Sequence, residues 1–233
     1  MVTRPVHISR TASALSHDQK LGLSRQSKWS YRLTFKRWFD ISFSVLTLPL
    51  ALPFGLLVAL LIRVDSPGPI IIKVKRLGKD GSTFFKYKFR TMVPNAEEIL
   101  RKLLQSNPEI RREYEQTYKI KHDPRITRFG KWLRLTSLDE LPQIINVFRG
   151  EMSWVGPRDI LNTELAKYGD CAHKFLTVQP GITGLWQVSG RSRLSYDQRI
   201  QLDMRYIDHL SFLLDLKIIC RTFPVVLFGE GAV

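Results

Sequence analysis

At 233 residues, 44% hydrophobic and 24% charged, the chain is long enough to bury one core and too apolar to remain a disordered polyelectrolyte. Its 36 Lys and Arg against 21 Asp and Glu give a formal net charge of +15, which selects an anionic partner: nucleic acid, lipid headgroups or a phosphorylated small molecule. Two cysteines, Cys171 and Cys220, with no CxxC or Cys/His spacing, indicate neither a zinc site nor a disulfide framework and are compatible with a reducing cytosol.

Residues 1–35 are rich in Ser, Thr, Arg and Lys without periodicity and read as a mobile basic tail, either a bare solvated leader or one drawn to anionic lipid. Ile41 to Ile62 then runs 22 residues without a charge, enough to span a bilayer as a helix. Pro49, Pro53 and Gly55 interrupt it, and each proline removes an intrahelical hydrogen bond. Arg32, Lys36 and Arg37 precede the run while Arg63, Lys73, Lys75 and Arg76 follow it. A straight span must export one basic flank, whereas a helix that breaks near Pro53 and returns keeps both on the cytoplasmic side. The position of the run, about forty residues in and with no small-residue cleavage site after it, argues against a cleavable signal peptide.

After a "SPGP" turn, "IIIKVK" and "TFFKYKFRTM" flank "GKDGS" and predict a β-hairpin. Lys86, Lys88 and Arg90 are spaced by two, so they share one strand face, either a solvated basic edge or a row of phosphate contacts. "NAEEILRKLLQSNPEIRREYEQTYKI" predicts a helical surface excursion.

In the next segment Arg128, Lys131 and Arg134 form a basic stripe opposite Phe129, Trp132 and Leu133. "TSLDELPQ" resets the chain. Ser137 and Glu140 match the S-x-x-E capping box, and Pro142 fits only a first helical turn, so a helix is predicted to start near Ser137 to Asp139. One reading makes Asp139 and Glu140 helix-capping acids. The other makes them chemical: a carboxylate at a helix start beside arginines can stay ionised and attack phosphorus, giving an acyl phosphate. Bringing a carboxylate to a phosphate costs about 4 kcal/mol per charge pair at 4 Å with an effective dielectric near 20. Arginines and Mg²⁺, which prefers oxygen ligands and bridges carboxylates to phosphates, would offset that cost.

Ser195 and Gln198 match a second capping box, and "FLLDLKIICRTFPVVLF", apolar yet carrying Asp215, Lys217 and Arg221, predicts an interfacial amphipathic helix in preference to a core helix. His173 and His209 have no partner spacing.

Taken together, "KRWFD", the proline-broken apolar run, "KYKFRTM", "LRLTSLDELPQIINVFRGEMSWVGPR", "QPGITGLWQVSGR" and "LDMRYIDHLSFLLDLKII" resemble the bacterial sugar transferases, monotopic phosphoglycosyl transferases. The likeness runs from about residue 35 to the C-terminus and is greatest to the short exopolysaccharide-initiating enzymes that pass galactose-1-phosphate to undecaprenyl phosphate. It implies transfer of a sugar-1-phosphate from a UDP-sugar to a polyprenyl phosphate with release of UMP. On that pattern Asp139 is the nucleophile, Glu140 its partner, and Mg²⁺ is held by the pair. Lys88, Arg90, Arg134 and Arg158 fall in the basic motifs that bind phosphate, and Gln187 and Arg191 lie on the nucleotide-sugar side. The expected fold is α/β, mostly helical with a small sheet: a mobile basic tail (1–35), a membrane-embedded re-entrant helix (36–64) broken at Pro53, and a cytoplasmic catalytic domain (65–233) with interfacial amphipathic helices. The expected location is the cytoplasmic face of the bacterial inner membrane, with a UDP-sugar, undecaprenyl phosphate and membrane lipid as partners and no nucleic acid. The oligomeric state, a homo-oligomer included, is left open.

Three positions depart from the family pattern. Leu52 precedes Pro53 where Ser is usual, Asp159 follows "VGPR" where Pro is common, and Ser189 stands where Asn is frequent. An acid beside Arg158 is expected to weaken that arginine or orient it. The rival reading, a membrane-tethered non-catalytic protein binding anionic lipid or nucleic acid, accounts for the charge and the apolar run but gives the acidic pair no task.

Overall fold

The computed structural model describes residues 35–117 and 120–227, so all but the last residue of the expected basic tail lies outside the described residues. Helix α1 (Lys36–Asp65) runs 30 residues, about 45 Å at 1.5 Å per residue. It is long and apolar enough to cross a membrane, and its apolar stretch is almost wholly unburied. The helix continues through Pro49 and Pro53, whose missing N–H groups leave the carbonyls of Val45 and Pro49 without their usual partners. Just before this weak point Thr47 Oγ1 donates to the Phe43 carbonyl at 2.9 Å.

Both ends of α1 pack on the same body. At its start Lys36, Asp40 and Ser44 are buried, with Asp40 accepting from Ser153 Oγ at 2.9 Å and from the Trp154 backbone N–H at 3.0 Å. Near its end Val58 and Ile62 join Phe89 and Leu133 in a small apolar cluster.

Strands β1 (Ile71–Leu77) and β2 (Thr83–Phe89) form the predicted antiparallel hairpin, with Val74 opposite Lys86 and Ile72 opposite Lys88. The excursion consists of α2 (Ala96–Ser106) and α3 (Pro108–Thr117), on which no described side chain is buried. Helix α4 (Arg128–Leu135) is capped by Thr127, whose hydroxyl accepts from the Gly130 N–H at 2.9 Å. A Cβ at Gly130 would stand 2.1 Å from the Thr91 carbonyl oxygen, so only glycine lets α4 lie this close to the end of the hairpin.

The expected capping box at Ser137 does not form. Ser137 adopts the left-handed conformation (φ 55°) and makes no side-chain cap, because its own N–H and that of Thr136 are still closing α4 onto Arg134 and Trp132. A capping residue needs extended backbone to aim its hydroxyl at the following turn, and Ser137 lacks it. A 3₁₀ turn, Leu138–Gln143, follows, and α5 (Ile144–Arg149) begins after it, ending at Gly150 in the left-handed conformation.

Strands β3 (Ser153–Val155) and β4 (Gly181–Thr183) pair in parallel, and Ile160 bridges back to Leu77 of β1. The stretch from Ser153 to Ile160 therefore ties the two small sheets together. Helix α6 (Ala172–Phe175) leads toward β4. Helix α7 (Tyr196–Asp208) starts at the predicted Ser195/Gln198 capping box, and α8 (Phe212–Leu227) closes the described chain. The main core gathers Val155, Ile160, Phe175, Tyr206, Ile207 and Ile218. Helix α8 contributes Ile218 and Ile219 to that core while Leu213, Leu216 and Phe223 on its other side are exposed. The whole is mostly helical with small sheets, as the sequence predicts.

Candidate active site

The strand alternation of β2 turns Lys86 and Lys88 toward the 3₁₀ turn that carries Asp139 and Glu140. The left-handed Ser137 swings this turn off the end of α4 and brings both carboxylates under the strand. Lys88 Nζ lies 2.8 Å from Asp139 Oδ2 and 3.3 Å from Glu140 Oε1, so one ammonium serves both acids. Asp139 is only 5% exposed. Burial raises its pKa above the ordinary aspartate value, aided by the neighbouring Glu140 charge and opposed by Lys88 and Arg134. For Glu140, burial also pushes upward, but Lys88 and Lys86 more than offset it and its pKa falls below the ordinary value. Two adjacent carboxylates thus have different proton affinities, with Asp139 the first to take up a proton on acidification. Lys88, despite burial, is held charged by Glu140 and Asp139.

Arg134 reaches back across the hairpin, its Nε donating to Thr91 Oγ1 at 2.9 Å, and stays within electrostatic reach of Asp139. Arg191 donates to Ser137 Oγ at 3.2 Å and lies within reach of Glu140. The Ser137 hydroxyl, freed from capping, thus ties the loop after β4 to the acidic turn. Arg158 stacks on the Trp186 ring, its guanidinium 5.2 Å from the centroid, and also acts on Glu140. The Arg158 charge also acts on Asp203, a buried acid that accepts from Tyr168 Oη at 3.0 Å and whose pKa burial raises to about 7.

The other basic residues of the strand row are elsewhere engaged. Arg90 Nη2 donates to the Ser66 carbonyl at 2.6 Å and to Ser66 Oγ at 2.8 Å, bracing the exit turn of α1. Lys86 Nζ lies 2.6 Å from Asp159 Oδ1, whose other oxygen receives Arg76 Nε at 2.7 Å. Pro53 is exposed on α1, two residues before Gly55, whose Cβ would lie 3.5 Å from Leu141 of the acidic turn. Gln187 has a buried carbonyl oxygen with no hydrogen-bond partner, packed where a Gly184 Cβ would lie 2.6 Å away. Among the described residues no hydrogen bond joins that oxygen to the acidic pair.

Sequence reasoning missed Trp186, Arg199 and Asp203. Arg199 brings a second guanidinium to the Trp186 ring, at 5.1 Å, with its Nε and Nη2 buried and without hydrogen-bond partners. Nothing in the local sequence marks Arg199, since the ring it contacts comes from a loop thirteen residues earlier. Asp203 in "LDMRYIDHL" was visible only as one acid on a helical face.

The acids suit a hard cation. Both offer carboxylate oxygens, and the Lys88 ammonium already occupies the place between them where a positive charge is favoured. Among the described residues no group of three His, Cys, Asp or Glu converges. Two carboxylates fit Mg²⁺ better than a cage-demanding ion, because Mg²⁺ commonly keeps water and takes substrate phosphate as ligands.

The sequence model of the bacterial sugar transferases matches residues 31–229. The chain belongs to the bacterial sugar transferase family. It is 46% identical over 230 residues to a Salmonella typhimurium protein named undecaprenyl-phosphate galactose phosphotransferase, covering 98% of this chain and 48% of that one. It is 43% identical over 197 residues to the exopolysaccharide production protein ExoY of Sinorhizobium fredii, covering 84% of this chain and 87% of that protein. A Komagataeibacter xylinus protein named undecaprenyl-phosphate glucose phosphotransferase is 36% identical over 225 residues, covering 90% of this chain and 39% of its own length. The chain therefore spans about half or less of two of these relatives and most of ExoY. Within this sugar transferase, the matched span takes in every residue of the acidic turn, its lysine and its three arginines.

Proposed function

We propose that this sugar transferase moves a sugar-1-phosphate, galactose or glucose, from a UDP-sugar to undecaprenyl phosphate, releasing UMP, as the first membrane step of exopolysaccharide synthesis. The observation that carries the reading is the Asp139–Glu140 pair held by one lysine and ringed by Arg134, Arg158 and Arg191. A capping pair needs no such collar. Relatives named as undecaprenyl-phosphate galactose and glucose phosphotransferases support the donor and acceptor classes.

In this reading an Asp139 carboxylate oxygen attacks the β-phosphorus. The bond from that phosphorus to the bridging oxygen breaks, and UMP leaves with the electron pair. A phosphate oxygen of the lipid then attacks the same phosphorus and expels the Asp139 carboxylate. Lys88 can pass from the acids to the incoming phosphate oxygens, so Asp139 is uncovered only when a substitute anion arrives. Arg134 and Arg158 offset charge at the diphosphate, while Arg191 and Gln187 face the nucleotide-sugar side. Asp139 and Glu140 would hold Mg²⁺, which when bound lowers the repulsion between carboxylate and diphosphate.

The acceptor places the reaction at a membrane. We read α1 as a re-entrant helix, because both of its ends pack on one body and both flanks are basic. The exposed apolar side of α8, and Trp132 and Phe148 on α4 and α5, would lie in the interface at the cytoplasmic face of the inner membrane.

The deciding experiment is Asp139→Asn, which preserves shape and removes the nucleophile. Turnover is expected to fall by about three orders of magnitude or more. Enzyme given labelled UDP-sugar without lipid should retain sugar-phosphate label on the Asp139 peptide. A fully active variant would return the acids to a structural role.

A further inference from the structure

Asp159 stands where the family resemblance places proline, and its contacts are those of a buried hub. It is 6% exposed, with Lys86 Nζ at 2.6 Å on one oxygen and Arg76 Nε at 2.7 Å on the other. The guanidinium of its neighbour Arg158 stacks on Trp186. The Arg158 charge still favours the Asp159 carboxylate, as the sequence leads one to expect, but the direct ion pairs of the acid go to two cations of the β-hairpin.

The consequence lies in the strand. Lys86 and Lys88 project from the same face of β2, two residues apart, and both lie within electrostatic reach of Glu140. Only Lys88 touches the acidic pair, and Lys86 is drawn off to Asp159. Lys86 is 4% exposed, so its ammonium cannot turn to water if its partner is lost. The carboxylate then left to it is Glu140.

We propose that Asp159 is a positioning residue that keeps Lys86 off Glu140, leaving Lys88 the single, exchangeable cation on the acidic pair. The inference rests on the reading of Asp139 and Glu140 as the reacting pair. Two lysines on the pair would hold both carboxylates in ion pairs that an incoming phosphate must break together. Lys86 itself has no role in the reaction here, so the remedy for losing Asp159 is to lose Lys86 as well.

The experiment is a suppression test on the full chain in detergent micelles with UDP-galactose and undecaprenyl phosphate. Asp159→Asn should lower kcat/KM about tenfold or more, Lys86→Met should stay within about threefold of the unmodified enzyme, and the double variant should return to the Lys86→Met level. Thermal unfolding is followed in parallel and kcat/KM is read well below the midpoint of every variant, because a pair that only stabilises the fold would leave kcat/KM of the folded Asp159→Asn enzyme unaltered. If Asp159→Asn does not fold, Lys86→Met/Asp159→Leu replaces both partners by apolar groups and is compared with Lys86→Met alone. An unaltered Asp159→Asn enzyme, or a folded double variant that is still impaired, overturns the inference. Either result leaves the Asp139 reading standing, since that reading fails only if Asp139→Asn remains active.

Discussion

The Lys36 ammonium lies 2.5 Å from Asp215 Oδ2, joining the first turn of α1 to the first turn of α8 across 179 residues of sequence. Both side chains are buried, and the Tyr206 hydroxyl donates to the other Asp215 oxygen at 2.8 Å. Breaking such a pair from one side strands a charge. Lys36→Met is expected to cost about 3–5 kcal/mol, read as a lowered thermal midpoint in detergent, while Lys36→Met/Asp215→Leu should recover most of the loss. A double variant no better than the single would mean that Lys36 contributes by packing, not by charge.

The same anchoring bears on topology. Lys36 and Asp40 are fixed to β3 and α8, and Val58 and Ile62 to β2 and α4, so on the re-entrant reading proposed above both ends of α1 lie on one side of the membrane. In a Cys171→Ser/Cys220→Ser background, Ser30→Cys and Asp80→Cys should both resist an impermeant thiol reagent in intact cells and both react after lysis. Labelling of one alone in intact cells would establish a spanning helix.

The pH profile tests the acidic pair. Asp139 must be ionised to attack, and its folded pKa lies above the ordinary carboxylate value. Activity should therefore fall, as pH is lowered, at a higher pH than an unperturbed aspartate would impose. Lys88 lowers the Asp139 pKa, so Lys88→Met should move the acid limb of kcat/KM to still higher pH besides lowering its plateau. A limb that stays in place would show that another group sets it.

The hairpin, the excursion and the Ser195 capping box were legible because each depends on local spacing and turn chemistry. The start of the acidic turn was not. The S-x-x-E pattern at Ser137 has the letters of a capping box, but α4 ends on the same residues, and the preceding helix won the backbone. The strand row places Lys86 and Lys88 together on β2, while Arg90 falls just past the end of the strand, and spacing is silent about their different partners. Those partners, Asp159 at 2.6 Å from Lys86 and Ser66 at 2.6 Å from Arg90, come from segments 73 and 24 residues away. Asp159 could be marked as a departure from sequence, whereas its role required the bridge between Ile160 and Leu77 that lays it across the hairpin.

The excursion of α2 and α3 leaves and rejoins the body at a single clasp. Val93 donates to the Arg125 carbonyl at 2.9 Å and Thr127 to that of Thr91 at 3.1 Å, so the two feet of the loop stand side by side. Whatever length of chain lies between them, the clasp presents the same geometry to Arg134 and the acidic turn, and the entropy of closing a longer loop rises only logarithmically. The tip at Ser106–Asn107, exposed or half-buried, is thus a splice point where a reporter domain can be grafted without the chemistry registering the change.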